Sequence, residues 1–216
     1  MDLGIAGRKA IVCASSKGLG RGCAHRLAEA GCEVVINGRN KEQLEATAEE
    51  LRKATGAKII AVAADVASPD GQKALFAACP EPDILVNNNA GPPFRDFRDL
   101  DRQKMIDGVI ANMIVAVELV QKAIDPMVRK KFGRIVNITS GSVKMPLFEL
   151  DTTFERKKKG VSYDVSLAES IDSVPAKRLG TADEFGATCA FLCSDQAGYI
   201  TGQNFLIDGG RFPGAF

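Results

Sequence analysis

The chain has 216 residues, a formal net charge of +1, 45% apolar residues and 25% charged ones. That length suits one domain with a complete hydrophobic core, and the balanced charge offers no field to attract nucleic acid or an anionic membrane. No run approaches the ~18 apolar residues of a membrane span, and the opening MDLGIAGRKAIVCA lacks the pattern of a secretory leader, so a cytoplasmic location is expected.

Short apolar runs alternate with longer amphipathic stretches along the chain. Lys9–Ala14 (KAIVCA) reads as a strand, and residues 18–30 read as a helix closed at Gly31. EVVIN at 33–37 is a second strand, and KEQLEATAEELRKAT at 41–55 a helix ending at Gly56. KIIAVAA at 58–64 is a third strand, followed by a short helix over 69–78. DILVN at 83–87 is a fourth strand, residues 101–131 form one long helical stretch bent near Pro126, and GRIVNIT at 133–139 is a fifth strand. Strands that are apolar throughout and joined by helices imply an α/β fold, a doubly wound parallel sheet covered on both faces in a Rossmann-like three-layer α/β/α arrangement. No repeat or domain boundary interrupts residues 1–216.

The six cysteines (Cys13, Cys23, Cys32, Cys79, Cys189 and Cys193) have neither a CxxC spacing nor a histidine partner, so no metal site is expected. Cys189 and Cys193, four apart on a helix, read as two small buried apolar residues. The single histidine, His25, reads as a surface or boundary residue beside Arg21 and Arg26.

The first strand runs into CASSKGLGRG, which opens a helix. Gly18 and Gly20 there permit a tight turn and a close approach of backbone N–H groups to a pyrophosphate, beside the positive end of the helix dipole. The second strand ends in NGRN. A carboxylate at that place would hold a ribose 2′-hydroxyl and repel a 2′-phosphate. Arg39 stands there instead, and the glycine turn adds Lys17, so the expected cofactor is NADP(H). Asp65-Val66, just past the third strand, lie where an adenine edge would come.

Taken together, ASSKGLG, Asp65-Val66, NNAG at 88–91, Asn112, IVNITS ending in Ser140 and ITGQNFLIDGG at 200–210 resemble the short-chain dehydrogenase/reductases, and most of all the 3-oxoacyl-acyl-carrier-protein reductases. The resemblance implies that Ala14, Ser15, Ser16, Lys17, Gly18, Leu19 and Gly20 wrap the pyrophosphate. It also implies that Asn88, Ala90 and Gly91 sit beside the nicotinamide ribose. Because DILVNNNAG has one asparagine more than usual, either Asn87 or Asn88 can hold the first place. Asn112 matches the family's structural asparagine, and its apolar surroundings argue against a plain exposed residue. Ser140 takes the place of the serine that polarises the substrate carbonyl. Ile207 to Gly210 resemble the closing strand and turn of subunit packing. A homo-oligomer, dimer or tetramer, is implied.

The family's acid/base is a tyrosine in a Tyr-x-x-x-Lys motif, and this sequence has none. Tyr163 is followed four places on by Leu167, and Tyr199 belongs to the C-terminal pattern. Phe154, at the expected distance from Ser140, has no exchangeable proton, although Lys158 follows it. The run Arg156 to Lys159 reads as a solvated face. The interval from Met145-Pro146 to Val174-Pro175 is also too short for the helix and sixth strand of the family. The expectation is that about 40–50 residues are absent near 146–155, with a genuine deletion as the alternative. Two readings follow: an oxidoreductase that exchanges hydride with a carbonyl/alcohol or acyl-thioester substrate, or a dinucleotide-binding sensor or scaffold without turnover. Lys144 is a conceivable partial substitute for the missing lysine.

Overall fold

A computed structural model of the chain describes residues 2–89, 97–139, 160 and 162–212. Five strands, β1 (Lys9–Val12), β2 (Glu33–Gly38), β3 (Ile59–Ala63), β4 (Ile84–Asn87) and β5 (Arg134–Asn137), form one parallel sheet in the order β3-β2-β1-β4-β5. β1 is central: Ala10 lies opposite Val34 on one side and Ile84 on the other. The helices are α1 (Gly18–Glu29), α2 (Lys41–Thr55), α3 (Pro69–Ala78), α4 (Arg102–Val109), α5 (Val115–Arg129), α6 (Tyr163–Asp172) and α7 (Ala182–Leu192). The doubly wound α/β expectation holds.

The two-residue period of the strands divides the core between the faces. Ala10 and Val12 join Leu27 of α1, Leu44 of α2 and Cys189 of α7 on one face. Ile11 and Cys13 join Leu75 of α3 and Leu119 of α5 on the other. At the N-terminal end of the strands, buried Asp83 accepts from the Lys9 backbone N–H at 2.9 Å and pairs with Lys130 at 2.7 Å. This cluster pins β1 to β4 and to the end of α5, away from the glycine turn.

Side-chain caps start several helices, since the first N–H groups of a helix have no internal partner. Asn40 caps α2, Ser68 caps α3 and Asp101 caps α4. α7 opens with a capping box in which Thr181 and Glu184 bond each other's backbone N–H. Arg178 also grips Glu184, and together these contacts lower its carboxyl pKa to about 2.

α1 and α7 cross with no side chain between them. A Cβ added at Gly22 would lie 2.0 Å from the Ala182 carbonyl oxygen, and one at Gly186 would lie 2.2 Å from the Gly22 oxygen. Glycine is required at both by contact, not by backbone angle. Cys23, Cys189 and Cys193 fill the space beside this crossing and are buried, as expected for small apolar residues.

Two expectations are corrected. The stretch 101–131 is not one continuous helix: a π turn at Ile110–Ile114 lies between α4 and α5, and Pro126 sits inside α5. Ile207, expected to begin the closing strand and turn of Ile207 to Gly210, is in no strand, since a strand needs a bonded neighbour. Only the turn survives there, with Gly209 at φ +66° and Gly210 at φ +86°. The 146–155 region, with Lys144, Phe154 and the basic run 156–159, lies outside the described residues.

Candidate active site

The polar residues singled out from the sequence gather at the C-terminal ends of β1, β2 and β4, the end of an open α/β sheet where ligands bind. After β1 the chain turns at Ala14, which adopts φ +45°, unusual for a residue with a Cβ. Two buried side chains hold that turn. The Ser15 hydroxyl donates to the Val12 carbonyl at 2.7 Å and accepts from the Asn37 N–H at 3.0 Å. Asn37 in turn donates its amide to the carbonyls of Val62 and Ala64, both at 3.0 Å. β1, β2 and β3 are thereby locked at one level by side chains that are not free to touch a ligand.

Gly18 has φ +58° and open space where a side chain would project. Gly20 is the opposite case: a Cβ there would lie 2.5 Å from the Ala14 oxygen and 2.8 Å from Asn88 Nδ2. Asn88 itself donates to the Ala14 carbonyl at 3.1 Å, so the end of β4 is tied to the glycine turn. α1 starts at Gly18, and its N-cap, Lys17, makes no side-chain cap bond. The helix N-terminus is left with unpaired N–H groups and positive potential facing the turn. Exposed Leu19 puts an apolar side chain at the mouth. Ser16, beneath it, accepts from Thr47 of α2 at 2.9 Å and packs against Gly38.

Lys17 and Arg39 are both exposed, at the ends of adjacent strands β1 and β2, and neither makes an ion pair among the described residues. No carboxylate occupies the end of β2, where Asn37, Gly38, Arg39 and Asn40 follow one another. Asp65 is exposed and turns its carboxylate to the Ala67 N–H at 3.0 Å. Val66 is 4% exposed and its side chain belongs to the core, so it would face an adenine with its main chain.

The end of β4 gives its two asparagines different partners. Asn87 is the last β4 residue, opposite Asn137, to which it donates at 2.8 Å, and its buried Oδ1 has no partner among the described residues. Asn88 is the one that reaches the glycine turn. Asn89, which the sequence reading did not single out, donates to the Ala111 carbonyl in the π turn at 2.9 Å and brings Asn112 to this end of the sheet. Asn112 is exposed, with its amide on the Gly108 carbonyl at 2.8 Å. The expected apolar surroundings are corrected: residues around it, such as Met113 and Ile114, are themselves exposed, because the helix turns that face outward. Ser140, Ala90 and Gly91 lie outside the described residues.

No cysteine here is prepared for nucleophilic chemistry. Cys13 borders the turn, but burial pushes its thiol up to about 12, outweighing a lowering contact from the Asn88 backbone. Tyr199 is fully exposed. Among the described residues no cluster of histidine, cysteine or carboxylate suits a metal ion, and no helix is long and apolar enough to cross a membrane.

Comparison with known proteins adds independent findings. A family profile described as short chain dehydrogenase matches residues 8–152, and one described as enoyl-(acyl carrier protein) reductase matches 148–211. The uncharacterized oxidoreductase YvaG of Bacillus subtilis is 34% identical over 170 residues, covering 78% of this chain and 64% of YvaG. The NADPH-dependent reductase BacG of Bacillus subtilis is 26% identical over 251 positions, covering 94% of this chain and 97% of BacG. Those positions hold roughly 203 residues of this chain, which leaves roughly 48 places in BacG without a counterpart here. The 3-oxoacyl-[acyl-carrier-protein] reductase FabG of Staphylococcus epidermidis is 29% identical, covering 95% of this chain and 99% of FabG. In structure, L-sorbose reductase from Gluconobacter frateurii, crystallised with NADPH and L-sorbose, superposes with a TM-score of 0.86 at 24% identity over 100% of both chains. With a profile matched across most of its length and a sheet of the same kind, the chain belongs to the short-chain dehydrogenase/reductase family.

Proposed function

We propose that this protein is an NADP(H)-dependent oxidoreductase acting on a carbonyl/alcohol pair, with 3-oxoacyl thioesters as the substrate class. The observation that carries the proposal is the pairing of an uncapped glycine-turn helix with Lys17 and Arg39 where a carboxylate would otherwise stand. The names of BacG and FabG point the same way. Gly20 supports the fit: its missing side chain lets α1 close on the Ala14 turn, which leaves backbone N–H groups at the surface that a pyrophosphate would meet. Lys17 and Arg39 would hold a 2′-phosphate, Leu19 would cover the pyrophosphate, and Asn88 would keep the turn at its distance from the ribose. Bound there, the nicotinamide supplies the hydride. Ser140 would hydrogen-bond the substrate oxygen, and Asn112 would keep the π turn beside it.

A second reading, a dinucleotide-binding sensor or scaffold without turnover, is favoured by one feature: no Tyr-x-x-x-Lys exists to deliver a proton. The places without counterpart in the BacG alignment support the view that a segment near 146–155 is lacking. Oligomerisation is supported by an exposed apolar stripe, Met105, Val109, Met113 and Val117, that runs at helical spacing across α4 and α5. Titration calorimetry with NADPH and NADH, followed by NADPH oxidation with a 3-oxoacyl thioester, tests both readings. Tight NADPH binding with turnover supports the enzyme. Tight binding without turnover supports the sensor, and absence of binding ends both.

A further inference from the structure

One dipeptide beneath the glycine turn carries a chemistry that dinucleotide binding does not use. Asn37-Gly38, which closes β2, is the single Asn-Gly pair in the sequence. A glycine after an asparagine leaves its backbone nitrogen open to react, because no side chain shields or stiffens it. That nitrogen can attack the asparagine amide carbon. The Gly38 N–H gives up its proton, a new C–N bond closes a cyclic imide, and the old amide nitrogen leaves as ammonia. Water then opens the imide at either carbonyl, leaving aspartate or isoaspartate where asparagine stood. Water is the only co-reactant.

The fold opposes each step. Asn37 is 1% exposed, so water is kept from the amide. Its Nδ2 donates to the carbonyls of Val62 and Ala64, both at 3.0 Å, and its Oδ1 accepts from the Ala14 N–H at 3.4 Å. The leaving nitrogen is therefore clamped, and the amide cannot turn towards its neighbour. Gly38 pairs with Ala63 of β3, and its carbonyl accepts from the Ala64 N–H at 3.1 Å. Both main-chain groups of a strand residue face the same neighbour, so the Gly38 nitrogen is engaged on the β3 side too. Conversion would undo this. A carboxylate at position 37 would set oxygen against the Val62 and Ala64 oxygens and place negative charge under the turn. Isoaspartate would lengthen the main chain there and displace Arg39.

We propose that Asn37-Gly38 is a spontaneous deamidation site that the fold keeps silent and whose conversion disables the turn after β1. Local opening of the β2–β3 end releases the clamp, so conversion proceeds in proportion to the time that end spends open. It is one-way, since the ammonia is lost. The chemistry does not rest on the cofactor reading; its effect on NADPH does.

The test incubates the full chain in mildly alkaline buffer, folded and in urea, and follows the peptide that holds Asn37 by mass spectrometry after digestion. In urea, Asn37 is expected to convert ahead of the other asparagines, and Gly38→Ala to slow it at least tenfold. In the folded chain, conversion is expected to be at least about 100-fold slower than in urea. Ser15→Ala, which removes the partner of the Asn37 N–H, is expected to speed the folded reaction several-fold and leave the urea rate unchanged. Asn37→Asp is expected to bind NADPH at least tenfold more weakly than wild type. No preferred conversion of Asn37 in urea, equal rates folded and unfolded, or wild-type NADPH affinity in Asn37→Asp overturns the proposal. The rate comparison uses wild type alone, so it stands whether or not a variant folds. If fresh wild type binds no NADPH, the cofactor reading fails, and the conversion rates still decide whether the fold silences this site.

Discussion

The two ends of the sheet are built on opposite plans. At the β3-β2-β1 side, every strand has a bonded neighbour or a side-chain tie. Ser15 and Asn37 stitch three strands together, and backbone meets backbone at Gly20. At the β5 side the last strand is partly exposed, with no bonded neighbour beyond it among the described residues. The first plan gives a rigid turn that needs no induced fit to receive an anion.

That contrast can be broken most forcefully at Gly20. Gly20→Val drives a branched side chain into the Ala14 carbonyl and Asn88, and NADPH affinity by calorimetry should fall at least about 100-fold. Gly186→Ala tests the helix crossing instead: urea unfolding should show a loss of about 2–4 kcal/mol, while NADPH binding by the remaining folded protein stays close to wild type. Arg39→Asp sharpens the cofactor assignment without touching the fold. NADPH affinity should drop roughly 10–100-fold with NADH affinity unchanged or improved, and no change in thermal stability is expected.

A smaller loss is expected from Ser15→Ala, which strands the Asn37 N–H and should cost about 1–3 kcal/mol in urea unfolding. The smallest effect is at the far helix. Glu184 is held by Arg178 and Thr181 at a pKa near 2, below its ordinary value of 4.5, so its contribution is complete above about pH 4.5 and fades as pH falls towards 2. The melting temperature of wild type should therefore exceed that of Glu184→Gln at pH 6, and the difference should close in acid.

The sheet was legible because its strands are apolar runs and its helices end at Gly31 and Gly56, where a left-handed residue suits only glycine. The cofactor end was legible because Gly18, Gly20, Lys17 and Arg39 act through charge and backbone shape, both of which a short stretch encodes. Other features depend on distant parts of the chain. Gly22 and Gly186 are ordinary helix glycines until the helices meet, although glycine inside two helices was a signal worth following. Asn89 gains its meaning only from Ala111, and the Val66 side chain is claimed by the core on the α3 side. The π turn left no trace in GVIANMIVAVEL, whose residues serve an α-helix equally well.

That π turn sets a phase between two helices. One surplus residue in Ile110–Ile114 lets Val115, Leu119 and Ala123 sit on the sheet while Ala111 meets Asn89. Deleting a single residue there would restore a continuous α ladder and rotate the upstream half by about 100° relative to the downstream half. Either the seated apolar face or the Asn89 anchor would then have to give way. Length at this point is therefore a tuned dial: changes of identity are tolerated far better than the gain or loss of one position.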